Sequence, residues 1–112
     1  MKLFNDYKNR QVNMSDEAWE HIHADHEEIE FENIQNTLAD PDIVQTDEEW
    51  NKNSNCETEL FYQKKWEQKP NVYYTVVIVK YCSDGNFLQT AYTVRKIKKR
   101  TIVYEKNKGE TL

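Results

Sequence analysis

The 112-residue chain is poor in the residues that punctuate structure, with two glycines and two prolines. So little Gly and Pro leaves no recognisable domain linker and no glycine-rich phosphate loop. There are two cysteines, Cys56 and Cys82, one in a polar loop and one at a strand end. That excludes a Cys-x-x-Cys pair and a disulfide framework, and both read as free thiols of a reducing compartment. The longest apolar run, Val76 to Val79, is far too short to span a bilayer, and Met1-Lys2-Leu3-Phe4-Asn5 lacks the apolar stretch of a signal peptide. A cytoplasmic protein without membrane association is expected. No internal repeat, Ser-His-Asp order or paired-carboxylate motif stands out. Two separate cores would each be too small at this length, so a single domain over residues 1–112 is expected.

Aromatic and charged residues are plentiful. Three Trp, seven Tyr and four Phe accompany 38% apolar and 31% charged residues, and aromatics at this level are unusual in disordered chains. The net charge of −5 is unevenly spread. Residues 1–60 hold 16 acidic against 4 basic residues, and residues 61–112 hold 4 against 11. Such asymmetry suits a basic face that meets a polyanion, or two halves that complement each other.

Ser15 is a good helix N-cap, Asp16 and Glu17 follow where the helix dipole favours anions, and Trp19, Ile22, His23 and His26 recur at helical spacing. A helix over about 15–27 is predicted. Phe31, Ile34, Gln35 and Leu38 predict a second, stopped at Asp40-Pro41. Arg10 to Met14 reads as a short leading strand. The polar stretch from Thr46 to Glu59, with Asn51, Asn53, Ser54 and Asn55 clustered, reads as a long loop anchored by Trp50. Leu60 to Trp66, Val72 to Tyr81, Phe87 to Val94 and Thr101 to Tyr104 are rich in β-branched and aromatic residues and predict strands. The expected fold is α+β, an N-terminal helical pair packed on a mostly antiparallel sheet of four to five strands.

If Asp84-Gly85 forms a two-residue hairpin turn, Val79 lies opposite Thr90 and Val77 opposite Tyr92. One face then carries Val77, Val79, Tyr81, Leu88, Tyr92 and Val94 towards the helices. The other mixes Val76, Ile78 and Ala91 with Lys80, Gln89, Thr93 and Arg95, which suits a solvated or a phosphate-binding surface.

All three histidines lie in His21-Ile22-His23-Ala24-Asp25-His26, the spelling of the zinc motif of the metallo-β-lactamase superfamily. That motif belongs to a loop of a much larger fold with further ligands. Here it continues a capped helix, where His21 and His26 are about 140° apart at 100° per residue, so they cannot share a tetrahedral metal. No metal site and no cofactor are expected. Arg95-Lys96-Ile97-Lys98-Lys99-Arg100 is the sharpest basic cluster, near Tyr92 and Tyr104. It fits RNA phosphates and unstacked bases, or a solvated turn whose lysines discourage edge pairing.

Taken in order, Trp19-Glu20-His21-Ile22 with His26, Leu38-Ala39-Asp40-Pro41-Asp42, Leu60-Phe61-Tyr62, Val76-Val77-Ile78-Val79-Lys80, and Thr90-Ala91-Tyr92 before Ile97-Lys98-Lys99 resemble the phage-type members of the barnase–EndoU–colicin–RelE-like nuclease superfamily. The match spans about residues 10 to 105. Departures from the pattern are His26-Glu27-Glu28 for His-Pro-Glu, Gln63 for an arginine, Val94-Arg95 for Thr-Asp, and Arg100 for a glycine.

The resemblance implies a helical segment on an antiparallel sheet and metal-independent RNA cleavage to a 2′,3′-cyclic phosphate, without a cofactor. Carried over, His21 and His26 are acid/base candidates, Lys80 a phosphate stabiliser, and Thr90 and Tyr92 positioning or proton-transfer groups, with Tyr62 of the same kind. Lys64, Lys65, Arg95, Lys96, Lys98, Lys99 and Arg100 are the RNA-binding candidates. The expectation is a small endoribonuclease of phage or toxin origin acting on structured RNA such as tRNA, with an inhibitor or immunity protein as a further partner. The alternative is a catalytically inactive RNA-binding or protein-interaction module of the same fold.

Overall fold

A computed structural model of the chain describes residues 1–52 and 55–106. Along it run β1 (Lys2–Asn5), β2 (Gln11–Met14), α1 (Asp16–Asp25), α2 (Phe31–Ala39), β3 (Ile43–Thr46), α3 (Glu48–Asn51), β4 (Cys56–Gln68), β5 (Asn71–Cys82), β6 (Gly85–Val94) and β7 (Thr101–Glu105). All seven strands join one sheet in the order β1-β2-β6-β5-β4-β3-β7. Its pairs are antiparallel except β2 with β6, which meet in parallel through Asn13 and Phe87.

This corrects the expected helical pair on a four- to five-stranded sheet. A hairpin of β1 and β2 precedes the helices, β3 lies inside what reads as connection and loop, and a third helix follows it. The four-residue strands β1 and β3 are too short to show a period of two, and tertiary pairing rather than local pattern makes them strands. Each longer run of β-branched and aromatic residues does lie within one of β4 to β7. In the polar stretch from Thr46 to Glu59, α3 and the first residues of β4 replace much of the expected loop, while its Asn53 and Ser54 lie outside the described residues.

Both longer helices start and stop for local reasons. The Ser15 hydroxyl accepts from the Ala18 N–H at 3.0 Å, and α1 ends at His26, whose N–H donates to the Ile22 carbonyl at 2.7 Å. Glu30 and Asn33 form a reciprocal capping box at the start of α2, two orphan donors satisfied at once. At its other end the Gln63 amide donates to the carbonyls of Asn36 (3.0 Å) and Asp40 (2.9 Å). The side chain standing where the family pattern has an arginine thus caps a helix.

The main core lies between helices and sheet. Ile22, Ile34 and Leu38 pack on Phe61, Val77, Val79, Leu88 and Ala91, all essentially inaccessible. Truncating one of these, Phe61→Ala for instance, removes about 3–5 kcal/mol of packing. A smaller cluster of Leu60, Tyr62, Val76 and Ile78 covers the opposite face, with Ile43, Tyr74, Tyr92, Val94 and Ile97 packed against it.

The β5–β6 register decides which side chains share that second face. Cys82 pairs with Gly85, so Ser83-Asp84 is the turn in place of Asp84-Gly85. Gly85 follows it at φ 148°, and a Cβ there would meet the Phe87 ring at 2.9 Å, which only glycine avoids. Val79 then pairs with Leu88, but Ile78 pairs with Thr90, and Gln89 between them is the extra residue of a bulge. A bulge shifts the strand by one residue and flips every side chain beyond it. Ala91 and Thr93 therefore face the helices, while Thr90 and Tyr92 share the second face with Val76, Ile78 and Lys80. The simple hairpin register had Tyr92 and Ala91 on the wrong sides.

Two further features tie the sheet together. Cys56 and Cys82 are partners in the β4–β5 register with Cα atoms 4.2 Å apart, and they form a disulfide. The expected free thiols are overturned, and with them the premise of a reducing compartment. Their separation of 26 residues says nothing until strand pairing sets them side by side. The β1–β2 turn, with Asn9 at φ 63°, holds a fully buried Asp6 carboxylate. Asp6 accepts from the N–H groups of Lys8 (2.9 Å) and Arg10 (2.8 Å), from Arg10 Nε (2.7 Å) and from the Tyr81 hydroxyl (2.7 Å). Arg10 also reaches Glu59 at 2.9 Å and lies 3.9 Å over the Tyr81 ring. Burial, and then Asp6, push the Tyr81 phenol up from its ordinary pKa, so it stays a donor. Among the described residues no helix is long and apolar enough to cross a membrane.

Candidate active site

On the second face, β4, β5 and β6 set Tyr62, Val76 and Tyr92 in one lateral row. Paired residues on one face stand about 5 Å apart, so the two phenols flank Val76. Tyr62 is buried and Tyr92 half-buried. β2 pairs with β6 only through Phe87 among the described residues, which leaves the length of β6 from Thr90 to Val94 as an open edge. The turn after α1 lies along that edge. From it the half-buried His26 ring approaches Tyr92, with centroids 5.7 Å apart. The bulge turns Tyr92 outward and the open edge admits His26, so together they join groups that the simple register keeps apart.

The segment between β6 and β7 folds back over the same face. Ile97 packs on the apolar cluster, and the Lys98 carbonyl accepts from the Gln45 amide at 2.8 Å. Arg100 turns inward. Its Nε donates to Asp47 at 2.9 Å, with the two side chains 19% and 12% exposed, its guanidinium acts on the Tyr62 phenol by charge and hydrogen bonding and on the Tyr92 phenol by charge, and it lies 5.6 Å over the Trp50 ring. Burial pushes the Asp47 carboxyl up, but the Arg100 hydrogen bond, the Trp50 N–H and the Arg100 charge outweigh it and hold its pKa below the ordinary value. Asp47 is therefore ionised and fixes the orientation of Arg100. Burial chiefly raises the Tyr62 pKa, with Arg100 opposing and Tyr92 adding to it, so that phenol remains a proton donor near neutral pH.

Other candidates stand further off. Thr90 is in the next row, beside Ile78 and Leu60, and Lys80 one row beyond, beside Thr58 and Phe87. At about 3.3 Å per residue Lys80 is roughly 13 Å along the sheet from the Val76 row. His21 is exposed on α1, 3.9 Å from Glu17, in a shallow concavity with Asn13, Phe87 and Gln89, away from the His26–Tyr92 pair. Lys64 is exposed on the second face and Lys65 reaches the Glu28 carbonyl at 3.2 Å. Arg95, Lys96, Lys98 and Lys99 are exposed on the segment that crosses the face. Gln63 points to the helix side.

Sequence reasoning placed Arg100 among five equal cations, gave Trp50 only as a loop anchor and passed over Asp47. Asp47 separates them from the rest: it is the N-cap of α3, accepting from the Trp50 N–H at 3.1 Å, and it selects Arg100 across 53 residues. Nothing local marks that pairing. Among the described residues no three His, Cys, Asp or Glu side chains are grouped as a metal site. What converges is an imidazole, two phenols and an oriented guanidinium, which suits proton transfer beside a developing negative charge.

The model of the phage-Barnase-EndoU-ColicinE5/D-RelE like nuclease2 family matches residues 1–110. No curated protein and no solved structure is significantly similar to the chain. With the match covering almost its whole length, the chain belongs to the phage-Barnase-EndoU-ColicinE5/D-RelE like nuclease2 family, a family of nucleases.

Proposed function

We infer that the protein is an endoribonuclease that cleaves RNA by general acid/base catalysis without a metal. The observation that carries this reading is the approach of His26 to Tyr92 beside the Asp47-oriented Arg100. The 2′-OH attacks the adjacent phosphorus as a base takes its proton, the bond to the 5′-oxygen breaks, and an acid protonates that oxygen. The products are a 2′,3′-cyclic phosphate and a free 5′-OH. His26 is the principal proton-transfer group, an imidazole being the side chain most often used for that task. Tyr92 positions it or serves as its counterpart, Tyr62 donates to a phosphate oxygen, and Arg100 stabilises the phosphorane charge.

Lys80, Thr90, Lys64, Lys65, Arg95, Lys96, Lys98 and Lys99 bind the strand on either side, and His21 has no part in the proton transfer. A structured RNA such as tRNA is the proposed substrate. A toxin-like role with an immunity protein is the proposed setting, in keeping with the colicins in the family's name.

The test is incubation of the pure protein with total RNA in EDTA, followed by detection of cyclic-phosphate ends. His26→Ala and Arg100→Ala should each lower the rate by about 10² or more, and His21→Ala should not. Cleavage by His26→Ala at the parent rate refutes the assignment, and binding without cleavage by the parent leaves the inactive RNA-binding module.

A further inference from the structure

β4 and β5 outrun their neighbours. β3 leaves β4 at Tyr62 and β6 leaves β5 at Tyr74, so residues 65–73 project as a two-stranded ribbon. It ends in a turn at Lys69-Pro70. A ribbon exposed on both faces gains little from apolar side chains, yet this one carries Trp66, 50% exposed and a member of neither apolar cluster. Tyr73 meets the indole edge-to-face, with centroids 4.6 Å apart and an interplanar angle of 77°. That contact holds the ring in one orientation without covering it.

Glu28, Lys65 and Thr93 complete a concavity of about 280 Å³ beneath it, at the lower limit of ligand pockets of about 300–1,000 Å³ and thus sized for one planar group. Lys65 lines it and Lys69 follows along the ribbon, with Glu28 and Glu67 as the acids of the region, all exposed. Glu28 is two residues from His26 in the same turn, and Thr93 follows Tyr92, so the concavity adjoins the candidate site across the open edge of β6.

We propose that Trp66 and Tyr73 form a stacking subsite for one unpaired base of a single-stranded RNA segment next to the cleaved bond. The ribbon's lysines hold the phosphates on either side. The proposal rests on the ribonuclease reading for the identity of its ligand. A ring with an open face beside cations suits bases of any sequence. The subsite therefore sets a requirement for an unpaired nucleotide, and does not read its identity.

The probe is a short 2′-O-methyl RNA, which lacks the attacking hydroxyl and cannot be cut, with binding followed by fluorescence anisotropy. Trp66→Ala should weaken binding between about fivefold and a hundredfold without changing the melting temperature, and Trp66→Phe should retain most of it. One abasic nucleotide at a single position should cost the parent as much, and cost Trp66→Ala nothing further. Equal binding by parent and Trp66→Ala overturns the proposal, as does a Trp66→Ala loss that no abasic position shares. Coupling between Trp66 and one base without cyclic-phosphate product in EDTA upholds the subsite while the ribonuclease reading fails. Cleavage without that coupling does the reverse.

Discussion

Replacing Arg10 by Met keeps the aliphatic stem and removes the charge that joins Asp6 to Glu59. Their carboxylates are 0% and 9% exposed, so neither gains much solvation when Arg10 goes. Removing one partner of a buried ion pair costs about 3–5 kcal/mol. Two features place this case at the lower end. Arg10 is itself 30% exposed, and Asp6 keeps the Lys8 and Arg10 N–H groups and the Tyr81 hydroxyl. The expected loss is about 3 kcal/mol, against a total stability of about 5–15 kcal/mol for a domain. For a chain of this length that lowers the melting temperature by about 12 °C. Thermal unfolding at pH 7 followed by circular dichroism reads it directly. The triple variant Asp6→Asn/Arg10→Met/Glu59→Gln removes the stranded charges and should recover more than half of the loss. A single variant within about 0.5 kcal/mol of the parent, or a triple no better than the single, would falsify the buried-network account.

Asp47→Asn keeps the oxygen that caps α3 and removes the charge paired with Arg100, so it should cost about 1–2 kcal/mol at pH 7 by urea unfolding. Because the folded Asp47 pKa is depressed, its contribution is present above the unfolded value of about 3.9 and is lost as pH falls through the folded value. The parent should thus lose its advantage over Asp47→Asn below pH 4, and a constant gap from pH 7 to pH 2 refutes the linkage. Deleting Gln89 removes the bulge residue while leaving Leu88 opposite Val79 and Thr90 opposite Ile78. It should fold at a cost of about 1–3 kcal/mol, whereas a regular hairpin would drive Tyr92 into the space of the fully buried Ala91. Failure of the deletion variant to fold by far-UV circular dichroism counts against the bulged register.

How far the sequence could be read depended on the range of the forces involved. Ser15, Asp16 and Glu17 start α1 through contacts within one turn, Asp40-Pro41 stops α2 through backbone sterics, and the β-branched run Val76–Val79 is a strand in any context. These were legible. β1 and β3 were not, since four residues carry no usable period and their pairing partners are distant in sequence. The Cys56–Cys82 disulfide depends on the β4–β5 register, and the Arg10–Glu59 contact joins residues 49 apart across separate strands, so neither leaves a local signal. The candidate site divides the same way. His26 and Tyr92 carry family motifs and could be named, but their meeting depends on the bulge and the open edge of β6, and the choice of Arg100 depends on Asp47.

The division into an acidic first half and a basic second half can now be apportioned between its two explanations. Complementation accounts for part of it: Arg100 pairs with Asp47 and Lys106 with Asp40, each at 2.9 Å, and both bonds fasten the last strand region to the segment around β3. Among the described residues no carboxylate lies within 4.0 Å of the Arg95, Lys96, Lys98 or Lys99 side-chain nitrogens. Exposed pairs contribute about 0–1 kcal/mol, so folding alone gives little reason to gather these cations on one segment over the second face. Four like charges there repel one another, and a bound polyanion relieves that repulsion while releasing its own counterions. The acids of α1 and α2 lie mainly on the helix side, where they disfavour the same ligand. On the proposed function, this charge distribution would direct a strand of nucleic acid to the face and edge that carry His26, Tyr92 and Arg100.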